Sequence, residues 1–172
     1  VAYSPDGKHI ATTSWSAPKH TGQLELDPSE VKIWDVKNRR VLRTLNGHSA
    51  GISSIAFSPD GKRMITGGGS SNIPKIWDVE SGQELITFEG HTHVVNSVAF
   101  SPDGKRVVTA SSDKTAKIWN ATTGEKILTL NGHAFSVNSV ACSPDGRLIA
   151  TGSKDKNGTV WNAETGERLI GL

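Results

Sequence analysis

The sequence predicts an all-β chain built from successive four-stranded antiparallel units, and three observations carry that expectation. Trp34, Trp77, Trp119 and Trp161 lie 43, 42 and 42 residues apart, and each is followed by Asp or Asn. The tetrapeptide Ser-Pro-Asp-Gly recurs at Ser4, Ser58, Ser101 and Ser143. Between these markers, short stretches alternate apolar and polar residues with period two, as half-buried strands do. A fixed period of this length means one supersecondary unit repeated, each copy burying its faces against its neighbours.

The unit is clearest from Gly90 to Glu125. Val94 to Phe100 alternates and reads as the first, inner strand. Ser101-Pro102-Asp103-Gly104 is a hairpin turn, with Pro presetting φ, Asp tolerated at the third position and Gly supplying the positive φ at its end. Arg106 to Ala110 is the second strand, Thr115 to Trp119 the third and Lys126 to Leu130 the outer one. Ala121-Thr122-Thr123-Gly124 turns between the last two. Four antiparallel strands per repeat make the blade of a β-propeller. Gly47-His48, Gly90-His91 and Gly132-His133 divide the chain into blades of about 1–46, 47–89, 90–131 and 132–172.

Two blades depart from the pattern. In blade one, 30 residues separate Ser4 from Trp34, against 18 from Ser101 to Trp119, so an insertion falls between its second and third strands at 14–30. Pro18, Gly22 and Pro28 favour a surface loop over a helix. Its Trp15, Leu24 and Leu26 either pin the loop onto the blade or meet a partner. In blade two the second turn, Gly67 to Pro74, is one residue longer than in blade three and lacks its Asp. Pro74 also removes a backbone donor.

The Gly-His pair, the Ser-Pro-Asp-Gly turn and the closing Trp-Asp resemble the WD-repeat β-propeller family, over four consecutive repeats that cover all 172 residues. That family usually closes six to eight blades, so the resemblance implies an incomplete ring. Val1 aligns with Val98, inside a strand, and Leu172 with Leu130, so the expectation is a segment of a longer array. The resemblance also implies a structural hydrogen-bond tetrad in each blade: His91, Thr109, Asp113 and Trp119 in blade three, and His133, Thr151, Asp155 and Trp161 in blade four. Blade two retains His48, Thr66 and Trp77, with Ser71 or Asn72 near the Asp position. Blade one keeps Thr12 and Trp34, with Asp27 as a substitute for the acid.

The same residues could be read as a Thr nucleophile with His and Asp, but an active site is normally built once and this set recurs. An imidazole buried inside a blade needs partners for both nitrogens, and an indole N–H needs an acceptor, which the structural reading supplies. The six histidines are too scattered for a zinc site, and Cys142 has no second cysteine to join it, so neither metal nor cofactor is expected. Cys142 takes the position of Phe57 and Phe100 and reads as a core residue. The Gly-rich turns lack the spacing of a phosphate loop.

The net charge of +2 arises from Lys and Arg scattered over turns, without a polybasic run, so nucleic-acid and membrane-surface binding are not expected. No apolar stretch approaches the ~20 residues that span a bilayer. By resemblance, partners dock on the top face, around the channel mouth, on residues three and five after each His and just before each tetrad Asp. These are Gly51 and Ser53; Val94, Asn96 and Ser112; Ser136, Asn138 and Lys154. His93 and Phe135 add aromatic surface in the same loops. The expectation is a cytoplasmic, non-catalytic scaffold or sensor module in a signalling protein, binding a protein or peptide. The alternatives are a chain that self-associates into a closed eight-bladed ring, and a propeller enzyme.

Overall fold

The computed structural model describes residues 1–13, 29–49, 51–69 and 71–172. Trp15, Leu24, Leu26 and Asp27, all in the blade-one insertion, lie outside the described residues. The rest forms four sheets of four antiparallel strands, as the repeat predicts. Sheet one holds β1 (Ala2–Tyr3), β2 (His9–Thr13), β3 (Ser29–Asp35) and β4 (Arg40–His48). Sheet two holds β5 (Ile52–Phe57), β6 (Arg63–Gly68), β7 (Lys75–Asp78) and β8 (Glu84–Thr87). Sheet three holds β9 (Val95–Phe100), β10 (Arg106–Ser111), β11 (Ala116–Asn120) and β12 (Lys126–Leu130). Sheet four holds β13 (Val137–Cys142), β14 (Leu148–Ser153), β15 (Gly158–Asn162) and β16 (Arg168–Gly171).

Each sheet is a simple meander, so all the Ser-Pro-Asp-Gly turns and third-to-fourth-strand turns share one end of the blades, the bottom. The Gly-His loops and second-to-third-strand turns share the other, the top. β1, β5, β9 and β13 are successive inner neighbours, blade beside blade. Strand β4 continues through Gly47-His48, where Ser29 pairs with His48, so the first outer strand carries the histidine used by blade two.

The turn chemistry explains why Ser-Pro-Asp-Gly persists. Gly104 N–H donates to Ser101 C=O at 2.8 Å, and Gly104 adopts φ of 68°. Ser101 Oγ donates to Asp103 Oδ1 at 2.5 Å, while Lys105 N–H donates to the same carboxylate and Arg106 N–H to Ser101 Oγ. Ser and Asp thereby satisfy the backbone that the reversal leaves unpaired.

The core lies between blades, not within them. Ile65, Ile76 and Phe88 of blade two pack with Val95, Val98, Phe100, Val107 and Trp119 of blade three. Ala11, Val31, Ile33 and Leu45 meet Ile52, Met64 and Trp77 at the first junction. Val108, Ile118 and Leu130 meet Ile149 and Trp161 at the third, with half-buried Cys142 packed against them. The repeating tryptophan is thus the piece each blade inserts against its predecessor, and truncating one would cost ~3–5 kcal/mol. Tyr3 is 66% exposed, whereas its equivalent Phe100 is 9% exposed.

Candidate functional site

In blade three the top loop, β10, the following turn and β11 each supply one member of a hydrogen-bonded chain. His91 Nδ1 lies 2.6 Å from Asp113 Oδ2, His91 Nε2 lies 2.7 Å from Thr109 Oγ1, and Trp119 Nε1 donates to Thr109 Oγ1 at 2.9 Å. Blade four repeats it: His133 to Asp155 is 2.8 Å, His133 to Thr151 is 2.8 Å, and Trp161 to Thr151 is 2.8 Å. A carboxylate only accepts, so Nδ1–H donates to Asp; in the tautomer with its proton on Nδ1, Nε2 accepts the Thr hydroxyl, giving a run of donors Trp to Thr to His to Asp. Gly90 enables the loop: its φ is 141°, and a Cβ there would sit 3.3 Å from Trp119 Cη2.

Burial works against the charged form of Asp113, but hydrogen bonds from His91 and Thr115 outweigh it and hold its pKa well below the ordinary carboxylate range. The same balance, with the His133 ring and the N–H groups of Asn157 and Ala134 as donors, holds Asp155 at about 2. Thr109 is wholly buried and its oxygen is enclosed by its own chain, so the arrangement ties the top loop to the strands rather than presenting a nucleophile.

Blade two shows what an incomplete chain leaves behind. His48 Nε2 lies 2.6 Å from Thr66 Oγ1 and Trp77 Nε1 donates to Thr66 Oγ1 at 2.8 Å, yet His48 Nδ1 is buried with no partner. The other orphan polar atom among the described residues is Ser71 Oγ. Asn72, at φ of 58°, matches left-handed Lys114, which makes Ser71 the counterpart of Asp113. Burial, followed by the charge of Lys75, pushes the His48 pKa down to about 4. In blade one, Trp34 Nε1 donates to Thr12 Oγ1 at 2.9 Å.

On the top face, two of the expected contact residues have polar groups committed to bonds between blades. Asn96 Nδ2 donates to Ser112 Oγ at 3.0 Å and to Val137 C=O of the next blade at 2.8 Å. Ser53 Oγ donates to Val95 C=O, again across a junction. Gly51, Val94, Ser112 and Ser136 are half-buried, and Gly51, Val94 and Ser136 accept the N–H groups of Gly69, Ser112 and Lys154. Of the expected contact residues, those the top face offers to solvent are Phe135, 59% exposed, and exposed Ser53, His93, Asn138 and Lys154. Among the described residues no three His, Cys, Asp or Glu side chains converge as metal ligands would.

Sequence reasoning overlooked two sets of positioning residues. Ser111 Oγ donates to His93 C=O and accepts the N–H of Asp113, and Ser153 Oγ is shared between the carbonyls of Phe135 and Ser136 and accepts the N–H of Asp155. The Ser-x-Asp spacing in both blades was the available signal. Arg63 and Arg106, each two residues after the turn glycine, reach across to the next blade, and their equal placement was likewise readable.

Three successive stretches, 39–78, 82–120 and 124–162, match the WD40 family, described as WD domain, G-beta repeat. The chain belongs to the WD40 family. Among curated proteins it is similar to WD repeat-containing protein 36 of Homo sapiens, 37% identical over 43 residues that cover 25% of this chain and 5% of that protein. It is similar to Protein groucho of Drosophila melanogaster, 45% identical over 38 residues, 22% of this chain and 5% of that protein. It is also similar to Cell division cycle 20.1, cofactor of APC complex, of Arabidopsis thaliana, 31% identical over 74 residues, 42% of this chain and 13% of that protein. The chain thus spans a small part of the length of each relative. WD40 proteins generally act in protein–protein interaction and are generally not enzymes.

Proposed function

We propose that this WD40 chain is a non-catalytic interaction module whose top face binds a protein or peptide partner through Phe135, with His93, Asn138 and Lys154 around it. The observation that carries the reading is Phe135 itself: a large aromatic 59% exposed, in a loop whose backbone is tied down by Ser153 Oγ donating to the carbonyls of Phe135 and Ser136. An aromatic presented at low entropic cost from a fixed loop is the kind of residue that dominates interface energetics. The histidines at catalytic-looking spacing are buried and committed to the fold, which leaves binding as the work of this surface.

The test is quantitative affinity capture with the chain as bait, comparing wild type, Phe135→Ala and the bottom-face control Lys105→Glu. A partner of this surface falls at least roughly tenfold with Phe135→Ala, about the effect of losing an interface anchor, and is retained by Lys105→Glu. Equal recovery by all three proteins refutes the assignment.

A further inference from the structure

At two blade junctions on the bottom face, an arginine of one blade is held by a pair of carbonyls of the next. Arg63 Nη1 donates to Ala121 C=O at 2.7 Å and Nη2 to Gly104 C=O at 2.8 Å. Arg106 Nη1 donates to Ala163 C=O at 2.9 Å and Nη2 to Gly146 C=O at 3.1 Å. In both cases the acceptors are the glycine of Ser-Pro-Asp-Gly and the residue two past the tryptophan. Their spacing fits the fork of a planar guanidinium.

At the first junction the counterpart of those arginines is His9, which is too short to bridge and has another shape. The counterpart carbonyls, Gly61 C=O and Val79 C=O, accept no hydrogen bond from any described residue. A cavity of about 530 Å³ opens here, and His9, Ile33, Leu42, Gly61, Val79 and Glu80 are among its walls. Arg43 also stands at the rim, but its Nε donates to Glu80 C=O, not to the waiting pair. The third junction keeps a cavity of similar size, about 580 Å³, with Arg106 in place. What distinguishes the first junction is therefore the unmet acceptor pair rather than the space.

We infer that this junction is a docking site for an arginine side chain of a protein partner, its guanidinium taking the two carbonyls of Gly61 and Val79. The methylene stem would lie against Ile33 and Leu42, in the way long cationic side chains cover apolar surface. At the second junction the Arg63 guanidinium lies over Phe100, 5.6 Å from the ring centre, and half-buried Phe57 is the repeat counterpart of Phe100. An ammonium group carries its three donors on one nitrogen and lacks the planar fork that the carbonyl pairs accept from Arg63 and Arg106, so arginine is preferred to lysine. The site is on the face opposite Phe135 and does not depend on the top-face reading.

The test uses N-acetyl-arginine amide as probe and its lysine counterpart as control, followed by amide chemical shifts of the isotope-labelled chain. The arginine probe is expected to shift Gly61, Lys62 and Val79 saturably, with a Kd on the order of 1–10 mM for a single side chain, and the lysine probe about tenfold more weakly. His9→Arg supplies the chain's own fork and should weaken binding at least about tenfold. Arg106→Ala should create a second responding set around Gly146 and Ala163. Phe135→Ala should leave both untouched, which separates this inference from the top-face reading. Equal shifts from the two probes, undiminished binding to His9→Arg, or no second site in Arg106→Ala would each overturn it.

Discussion

Replacing Ser71 by Asp should complete the hydrogen-bond chain of blade two. The perturbation addresses a specific defect: His48 Nδ1 is buried without a partner, and Ser71 occupies the counterpart of Asp113 with its own hydroxyl unpaired. Pairing the ring with a carboxylate removes an orphan worth ~1–3 kcal/mol and adds a charge-assisted bond, against the cost of burying the new charge. The net gain should sit at the low end, ~1 kcal/mol. Asp113 leans on Ser111, whereas blade two has Gly68 at that position, and a Cβ on Gly68 would lie 2.5 Å from Ile73 C=O, so the supporting serine cannot be restored. For a chain of this size the melting temperature should rise by roughly 2–4 °C at pH 7. The pH dependence is the sharper readout. Between the ordinary histidine pKa of 6.5 and the folded value of about 4, unfolded chains bind a proton at His48 that folded chains refuse. Wild-type stability therefore falls as pH drops through that window, by up to ~3 kcal/mol. In Ser71→Asp the His48 pKa should move up and this loss should shrink, as followed by urea denaturation at pH 4.5, 5.5 and 7 and by imidazole proton shifts. An unchanged His48 titration would refute the placement of Ser71 opposite that ring.

Thr109→Val keeps volume but strands His91 Nε2 and Trp119 Nε1 in a fully buried site, so denaturant titration should show a loss of ~2–5 kcal/mol, well above an ordinary surface change. Arg39 holds φ of 54° where the other blades have Gly82, Gly124 and Gly166, and Arg39→Gly should raise stability by ~0.5–1 kcal/mol, measured as a shift in the denaturation midpoint with unchanged slope.

The fold was legible because repetition multiplies weak local signals. One Ser-Pro-Asp-Gly is a turn; four at constant distance from four tryptophans set strand number, register and direction for the whole chain. Strand ends moved by a residue, with β11 starting at Ala116 rather than Thr115, because the left-handed Lys114 delays entry into the ladder. The crossing of β4 into blade two was not readable, since it depends on Ser29 pairing with His48 across a stretch with no periodic mark. The same holds for the top-face contacts. An offset of five from His identifies Asn96, but only the distance to Val137 C=O shows that its amide is used between blades.

Residues that recur in every blade hold the blades together, and for that reason they say little about what this particular chain does. Specific work falls to positions where one blade breaks the rule. Phe135 is an exposed aromatic where blade three has His93, Ser71 is a hydroxyl where blades three and four carry an acid, and His9 is an imidazole where blades two and three carry a guanidinium. The first leaves apolar surface in solvent, the second a buried nitrogen unpaired, the third two carbonyls unmet. The second and third departures forgo stabilisation that the neighbouring blades obtain with one different side chain. Of the three, only the unmet carbonyls are specific in chemistry, because the same molecule shows twice what fits them. That makes the His9 junction the place where a partner's side chain can be specified from the geometry alone, and the top face the place where it must be found by capture.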